Sequence, residues 1–92
     1  MEPASRLEAT LRRVFTPLHL EIVDEIALHA GHASATGGGH FRVLIVSENF
    51  RQQDLLSRQR AVYAAVGDAM KSDVHALSLR TLTPEEWQQA QG

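Results

Sequence analysis

The 92-residue chain contains no cysteine, and this absence removes several kinds of chemistry at once. Without thiols the chain forms no disulfide, offers no thiolate to a metal and has no cysteine nucleophile. Long apolar runs are missing too, since no stretch approaches the roughly 18 residues of a membrane-spanning helix. The first eight residues lack the apolar stretch and small-residue cleavage site of a secretory signal. These absences predict a cytoplasmic protein that spans no membrane.

Neither sign of charge is in large excess, because the chain has 9 Lys and Arg and 11 Asp and Glu, which give a net charge of −2. The field of the whole molecule therefore does not favour tight, nonspecific binding to a polyanion, although a local basic patch remains compatible with it. Hydrophobic residues make up 43% of the chain, an ordinary value for a globular domain. No repeat or low-complexity linker divides the sequence, so we expect residues 1–92 to form a single domain.

Hydrophobic periodicity predicts the element order helix, strand, strand, helix, strand, helix. The predicted elements are a helix from Pro3 that ends at Thr16-Pro17, strands over 18–22 and 41–46, a long helix over 55–70 preceded by a short helical turn, a strand over 74–82 and a closing helix after Thr83. In the first strand, alternation predicts that Leu18, Leu20 and Ile22 face inward. The segment Thr83-Pro84-Glu85-Glu86 is typical of a capping box. The fold class is therefore α+β, with a three-stranded mixed sheet packed against helices.

The predicted topology brings histidines from distant parts of the sequence to one end of the sheet. The first two strands are joined by a loop and should be antiparallel, whereas a helical crossover makes the second and third strands parallel. The third strand then begins at the same end as the second, where the glycine-rich loop over 29–39 also ends. Four of the five histidines map to this end, namely His29, His32, His40 and His75.

These histidines admit three interpretations. Imidazole is a common metal ligand, and because iron–sulfur clusters are held chiefly by cysteine, a cluster here would take its thiolates from another molecule. A zinc site of three histidines and a water is the second interpretation. The third involves no metal: His75 shares a strand face with Leu77 and Leu79 and could be a buried histidine bonded to a backbone carbonyl, while the others could be solvated.

The remaining polar residues offer one further candidate site. Arg51, Arg58 and Arg60, with Arg42 nearby, form the basic cluster of the sequence. Such a cluster at the start of a helix could contact phosphates or could be a solvated helix face. No nucleophile elbow surrounds the serines, so the sequence offers no candidate for a nucleophilic triad. The rings of Tyr63 and Trp87 are expected to anchor the core.

Several segments together closely resemble the BolA family, in order and spacing over nearly the whole chain. They are Val23-Asp24-Glu25, His29-Ala30-Gly31-His32, His40-Phe41-Arg42-Val43, Ile45-Val46-Ser47, Phe50, Arg58-x-Arg60, and the stretch from Val74-His75-Ala76 through Thr83-Pro84 to Trp87. The resemblance implies a KH-like α+β fold of the class II KH type, in agreement with the predicted order of elements.

The resemblance also implies a function. BolA-like proteins pair with monothiol glutaredoxins and share a [2Fe–2S] cluster, held by the glutaredoxin cysteine and glutathione on one side and by BolA histidines on the other. His75 is the implied ligand on the third strand, and either His29 or His32 is the implied loop ligand. The implied protein is not an enzyme. It is a monomer alone, without a cluster of its own, and a heterodimer with its partner, and it acts in cluster transfer or in iron or redox sensing.

The family's founding members imply an alternative function. They are described as transcriptional regulators that bind DNA through the KH-like helix-turn region. In this chain that region carries Arg51, Arg58 and Arg60, which are therefore the candidate DNA-binding residues.

Overall fold

The computed structural model describes residues 3–25, 39–67 and 74–91, and it confirms the predicted order of elements. The elements are helix α1 (Pro3–Phe15), strands β1 (His19–Asp24) and β2 (Gly39–Val46), a 3-10 turn (Glu48–Phe50), helix α2 (Leu55–Val66), strand β3 (Val74–Leu82) and helix α3 (Pro84–Gln91). The 3-10 turn is the short helical turn expected before the long helix. Across the described ranges, the architecture is an α+β fold.

The three strands form one mixed sheet in the order β1-β2-β3. Strand β1 pairs antiparallel with β2, from His19 opposite Val46 to Asp24 opposite Phe41. Strand β3 pairs parallel with β2, so both strands begin at the same end of the sheet. The predicted mixed topology is therefore confirmed.

The core lies between one face of the sheet and the helices α1 and α2. Helix α1 contributes a stripe at helical spacing, and the rings of Phe15 and Phe50 pack with their centroids 5.3 Å apart. The buried core residues are Leu7, Leu11, Phe15, Phe41, Val43, Ile45, Phe50, Val62 and Val66. Because side chains alternate along a strand, the remaining strand positions lie on the opposite face of the sheet.

The ends of α2 and α3 follow from their sequences. The Asp54 side chain caps α2 by accepting a hydrogen bond of 2.8 Å from the backbone N–H of Ser57. At α3 the backbone N–H of Thr83 donates to Oε1 of Glu86 at 2.9 Å, and the backbone N–H of Glu86 donates to Oγ1 of Thr83 at 3.1 Å. This reciprocal pair is the predicted capping box.

Several predicted boundaries are wrong: β1 runs to Asp24 rather than ending at residue 22, and β2 begins at Gly39 rather than at residue 41. Leu18 was expected to face inward, yet it precedes β1 and is 60% exposed. Alternation along a strand fixes which face a side chain is on, but it does not tell whether a helix covers that position. The long helix was expected to reach Met70, but it ends at Val66 because Gly67 adopts a φ of +43° and caps it. Residues 68–70 lie outside the described ranges.

The expectation that Tyr63 and Trp87 anchor the core is also wrong. Tyr63 is 40% exposed, and its hydroxyl donates to the carbonyl of Leu77 at 3.0 Å. Trp87 is half-buried and stacks on the ring of His19, with centroids 4.6 Å apart and planes 19° apart. Both rings therefore lie outside the core: Tyr63 connects α2 to β3, and Trp87 connects α3 to β1.

No helix in the described ranges is long and apolar enough to cross a membrane.

Candidate metal-binding end and arginine network

The start of β3 lies beside the start of β2, as the sequence predicts. Gly39 is the register partner of Val74 and His40 is the partner of Ala76, so the backbone of His75 has no partner in β2. Partner positions on neighbouring strands are about 4.8 Å apart. A local register shift of this kind is frequent beside functional sites, because it redirects the chain at one position. The backbone of His75 thus directly follows Val74, the register partner of Gly39, which is the first described residue after segment 26–38.

The loop histidines themselves lie outside the described residues. His29 and His32 fall in the segment 26–38, which connects the end of β1 to the start of β2. His40 is described and is exposed at the start of β2. His19 lies at the other end of the sheet, since it pairs with Val46. The structure therefore brings His40 and the backbone of His75 to one end and leaves His19 away from it.

The described residues on either side of segment 26–38 are attached to the sheet. Glu25, the last described residue before the loop, accepts a 2.6 Å ion-pair hydrogen bond from Nη2 of Arg42 on β2. Gly39, the first described residue after it, is paired with Val74. The sequence groups Arg42 with the basic cluster and does not by itself indicate this attachment. The signal that could indicate it is an acidic residue at the end of β1 together with a basic residue on the adjacent strand.

The described residues do not hold a metal site of three or more His, Cys, Asp or Glu side chains. A zinc site of three histidines would need the loop residues and stays a prediction. The donor chemistry of the sequence fits a shared iron–sulfur cluster better than a complete one, because the sequence contains histidines and no cysteine. Histidine replaces cysteine in certain [2Fe–2S] centres.

The predicted basic cluster is largely neutralised by acidic residues. Arg51 forms ion pairs with Glu48, at 3.2 Å, and with Glu85 of α3. The bond with Arg51 lowers the pKa of the Glu85 carboxyl, and the same bond raises the pKa of Arg51. The negative charges of Glu48 and Glu85 therefore offset the positive charge of Arg51, whereas binding to the phosphates of a nucleic acid would need unpaired cations.

Arg58 is more deeply placed, with only 12% of its side chain exposed. Its Nη1 donates to Oε1 of Glu86 at 2.7 Å and to the carbonyl of Thr81 at 3.1 Å, while its Nε donates to the carbonyl of Gln53 at 2.9 Å. The bond from Arg58 lowers the pKa of the Glu86 carboxyl, and the Thr83 N–H adds to this effect. Arg58 thereby joins α2, β3 and α3.

Arg60 differs from the other two cluster members. Arg60 lies on α2 two residues after Arg58, and it is exposed. The three arginines therefore do not form one continuous basic surface: two of them join parts of the fold, and the third faces solvent.

Comparisons with known proteins agree with this architecture. A family model described as BolA-like protein matches residues 11–86. The chain is 39% identical over 83 residues to the DNA-binding transcriptional regulator BolA of Escherichia coli (strain K12), which covers 90% of this chain and 77% of that protein. It is 37% identical over 87 residues to SufE-like protein 1, chloroplastic/mitochondrial, of Arabidopsis thaliana, covering 88% of this chain but only 24% of that relative.

A solved structure extends the similarity to three dimensions. BolA1 from Arabidopsis thaliana matches with a TM-score of 0.78 and 34% sequence identity, over 94% of this chain and 96% of that one. The fold is a small α+β domain with a mixed sheet. Two parallel strands of this sheet, β2 and β3, begin at the same end, and the histidine-containing segment 26–38 leads into β2. The chain belongs to the BolA family. Relatives in this family are named as transcriptional regulators or BolA-like proteins, and these names do not describe an enzyme. The KH-like label for the fold stays a prediction.

Proposed function

We propose that this protein is a non-enzymatic, cytoplasmic partner of a monothiol glutaredoxin and shares a [2Fe–2S] cluster with it. The cluster is passed on or used to sense iron or redox state. His75 is one ligand, and His29 or His32 is the other. The glutaredoxin cysteine and glutathione supply the sulfur ligands. The free chain is a monomer without a cluster, and the complex is a heterodimer.

The observation that carries the proposal is the position of His75. Its backbone lies at a register shift and directly follows Val74, the register partner of Gly39, and Gly39 is the first described residue after the segment with the other two candidate ligands. The pairing of Glu25 with Arg42 holds the other end of that loop on the same sheet. A rigid sheet end and an attached loop can present two imidazoles to a partner while leaving the remaining coordination positions to it.

The proton chemistry of the site follows from its ligands. Imidazole binds a metal only in its neutral form, so acid weakens ligation by histidine. The shared cluster should therefore become less stable as the pH falls below the range in which histidine is neutral. Cysteine ligands on the partner's side would respond at a different pH, because they titrate separately.

The proposal is tested by adding the chain to a cluster-loaded monothiol glutaredoxin and following visible absorption and circular dichroism. The wild-type chain should change both spectra, and His75→Ala should reduce or abolish the change. His19→Ala serves as the matched control, since His19 lies at the other end of the sheet. Unchanged spectra with the wild type, or the same change with His75→Ala, would refute the proposal.

A second candidate function is DNA binding, because the Escherichia coli relative is named a DNA-binding transcriptional regulator. The candidate residues are Arg51, Arg58 and Arg60. The ion pairs of Arg51 and Arg58 with Glu48, Glu85 and Glu86 weigh against it, since phosphates would compete with carboxylates already bonded. DNA affinity that falls steeply between about 50 and about 200 mM salt, and that is lost in Arg60→Ala, would support this function.

A further inference from the structure

Helix α3 is held on the domain by a few side chains rather than by a buried face. All eight of its residues are described, and none of them is buried. A helix of this length is not stable by itself in water, because fewer than about 12 residues rarely offset the cost of forming the first turn. The position of α3 therefore depends on the contacts that its side chains make with other elements.

Three successive residues of α3 make these contacts, and each of them reaches a different element. We call them the α3 clasp, and they are Glu85, Glu86 and Trp87. Their partners lie after the 3-10 turn, on α2 and on β1, and are Arg51, Arg58 and His19 respectively. An element that is held by a few side chains and buries no residue belongs to the part of a fold that opens most easily. The α3 clasp can therefore be displaced by a competitor for the same partners.

The two glutamates of the α3 clasp each bind their arginine through two hydrogen bonds. Nη1 of Arg58 donates to Oε1 of Glu86 at 2.7 Å, and its Nη2 donates to Oε2 at 3.3 Å. Nε of Arg51 donates to Oε1 of Glu85 at 3.2 Å, and its Nη2 donates to Oε2. Arginine binds phosphate groups with the same arrangement of two parallel hydrogen bonds. The carboxylates of α3 therefore occupy the donors that a phosphate would use.

The two glutamates of α3 also determine the charge around the basic cluster of Arg51, Arg58 and Arg60. Acidic residues of other elements interact with this cluster too, namely Glu48, which pairs with Arg51, and Asp54, which caps α2. With the α3 glutamates included, these acidic residues outnumber the arginines of the cluster. Without them, the arginines outnumber the acidic residues. Displacement of α3 therefore turns this surface from one that repels a polyanion into one that attracts it.

We propose that α3 is an autoinhibitory element, in which Glu85 and Glu86 bind Arg51 and Arg58 in place of the phosphates of duplex DNA. Docking of α3 and binding of phosphate are mutually exclusive uses of the same guanidinium groups. Bound DNA therefore displaces the α3 clasp, including the stack of Trp87. This inference rests on the second candidate function, DNA binding, and is independent of the shared cluster.

The test compares Glu85→Gln with Glu8→Gln. Glu8 is an exposed glutamate that pairs with Arg12 of α1 at 2.8 Å, so both variants remove one negative charge and release one arginine. A labelled DNA duplex of mixed sequence is titrated with the full chain, and fluorescence anisotropy gives the affinity at about 50 and about 200 mM salt. Glu86→Gln is the second variant, because glutamine also forms a capping box. Far-ultraviolet circular dichroism checks that each variant is folded.

The expected result is a gain in affinity that is specific to α3. At about 50 mM salt, Glu85→Gln should bind the duplex about fivefold more tightly than the wild type, and Glu8→Gln should change the affinity by less than about twofold. The dependence of log affinity on log salt should steepen by about 0.9 in Glu85→Gln, as expected for one additional phosphate contact. In an Arg51→Ala background, Glu85→Gln should give no gain, because the released arginine is missing.

Trp87 provides an independent measurement, because it is the single tryptophan and belongs to the α3 clasp. Saturation of the wild type with unlabelled duplex should shift its emission to longer wavelength and increase quenching by acrylamide. Equal gains for Glu85→Gln and Glu8→Gln, or bound DNA with unchanged Trp87 emission, would overturn the autoinhibition and leave DNA binding intact. Absence of binding by the wild type and by both α3 variants would overturn the autoinhibition together with the second candidate function.

Discussion

Replacement of Arg58 by alanine should destabilise the fold rather than only change its surface charge. The Arg58 side chain is only 12% exposed, and its guanidinium bonds to Glu86, to the carbonyl of Thr81 and to the carbonyl of Gln53. Removing one hydrogen bond to a charged group costs about 1.5–3 kcal/mol, but the terms are not additive. Glu86 is 45% exposed and regains water when Arg58 is lost. We therefore expect a net loss of about 2–3 kcal/mol.

That loss is large for a domain of this size. Globular proteins are stable by about 0.05–0.15 kcal/mol per residue, which for this chain amounts to about 5–14 kcal/mol. Each kcal/mol corresponds to about 4–8 °C in the melting temperature of a small domain. A loss of about 2–3 kcal/mol therefore predicts that Arg58→Ala melts about 8–24 °C below the wild type.

The assay is urea denaturation followed by circular dichroism, with Arg60→Ala as the matched control. Arg60 is on the same helix and is exposed, so Arg60→Ala makes the same change in charge and side-chain size as Arg58→Ala. We expect it to alter the free energy of unfolding by no more than about 0.5 kcal/mol. A double-mutant cycle with Glu86→Ala should give a coupling energy of about 1 kcal/mol or more. Equal stability of Arg58→Ala and Arg60→Ala would refute the role that we assign to Arg58.

Three further predictions concern single groups. The hydroxyl of Thr81 is buried without a hydrogen-bond partner among the described residues, so Thr81→Val should raise the free energy of unfolding by about 1 kcal/mol, and an unchanged or lower urea midpoint would contradict this. The bond from Arg58 lowers the pKa of Glu86 in the folded state. The ionised Glu86 carboxylate therefore stabilises the fold above about pH 4.3, the pKa of an unfolded glutamate, and this stabilisation is lost as the pH falls through the lowered pKa of the folded state. The urea midpoint of Glu86→Gln should therefore depend less on pH in this acidic range than that of the wild type, and parallel profiles would argue against the pair. Trp87 is the single tryptophan and stacks on His19, so His19→Ala should shift its fluorescence to longer wavelength and increase quenching by acrylamide; an unchanged spectrum would count against the stack in solution.

The elements of the fold were predictable because their signals are local. Thr83 and Glu86 are three residues apart and specify their own capping box. Thr16-Pro17 ends α1 where the sequence places its end. The end of α2 was missed because Gly67 is followed by apolar residues that continue the helical period, although its φ of +43° ends the helix.

The candidate site was predictable only in outline. Strand order and direction place His75 next to the end of the histidine loop, and this required no knowledge of side-chain contacts. The ion pairs were not predictable, because Arg51 and Glu85 are 34 residues apart and Arg58 and Glu86 are 28 residues apart. In the sequence these arginines stand together as a basic cluster, and only the fold brings acidic partners from α3 to them.

The central claim is that an imidazole of this chain binds iron of a cluster whose thiolates come from a partner. It is tested most directly by labelling the histidines of the chain with ¹⁵N, forming the complex with cluster-loaded monothiol glutaredoxin, reducing it, and recording electron–nuclear double resonance spectra. The account predicts a strongly coupled ¹⁵N from histidine that is lost in His75→Ala and kept in His19→Ala. A spectrum without such a coupling, or one that His75→Ala leaves unchanged, would contradict it.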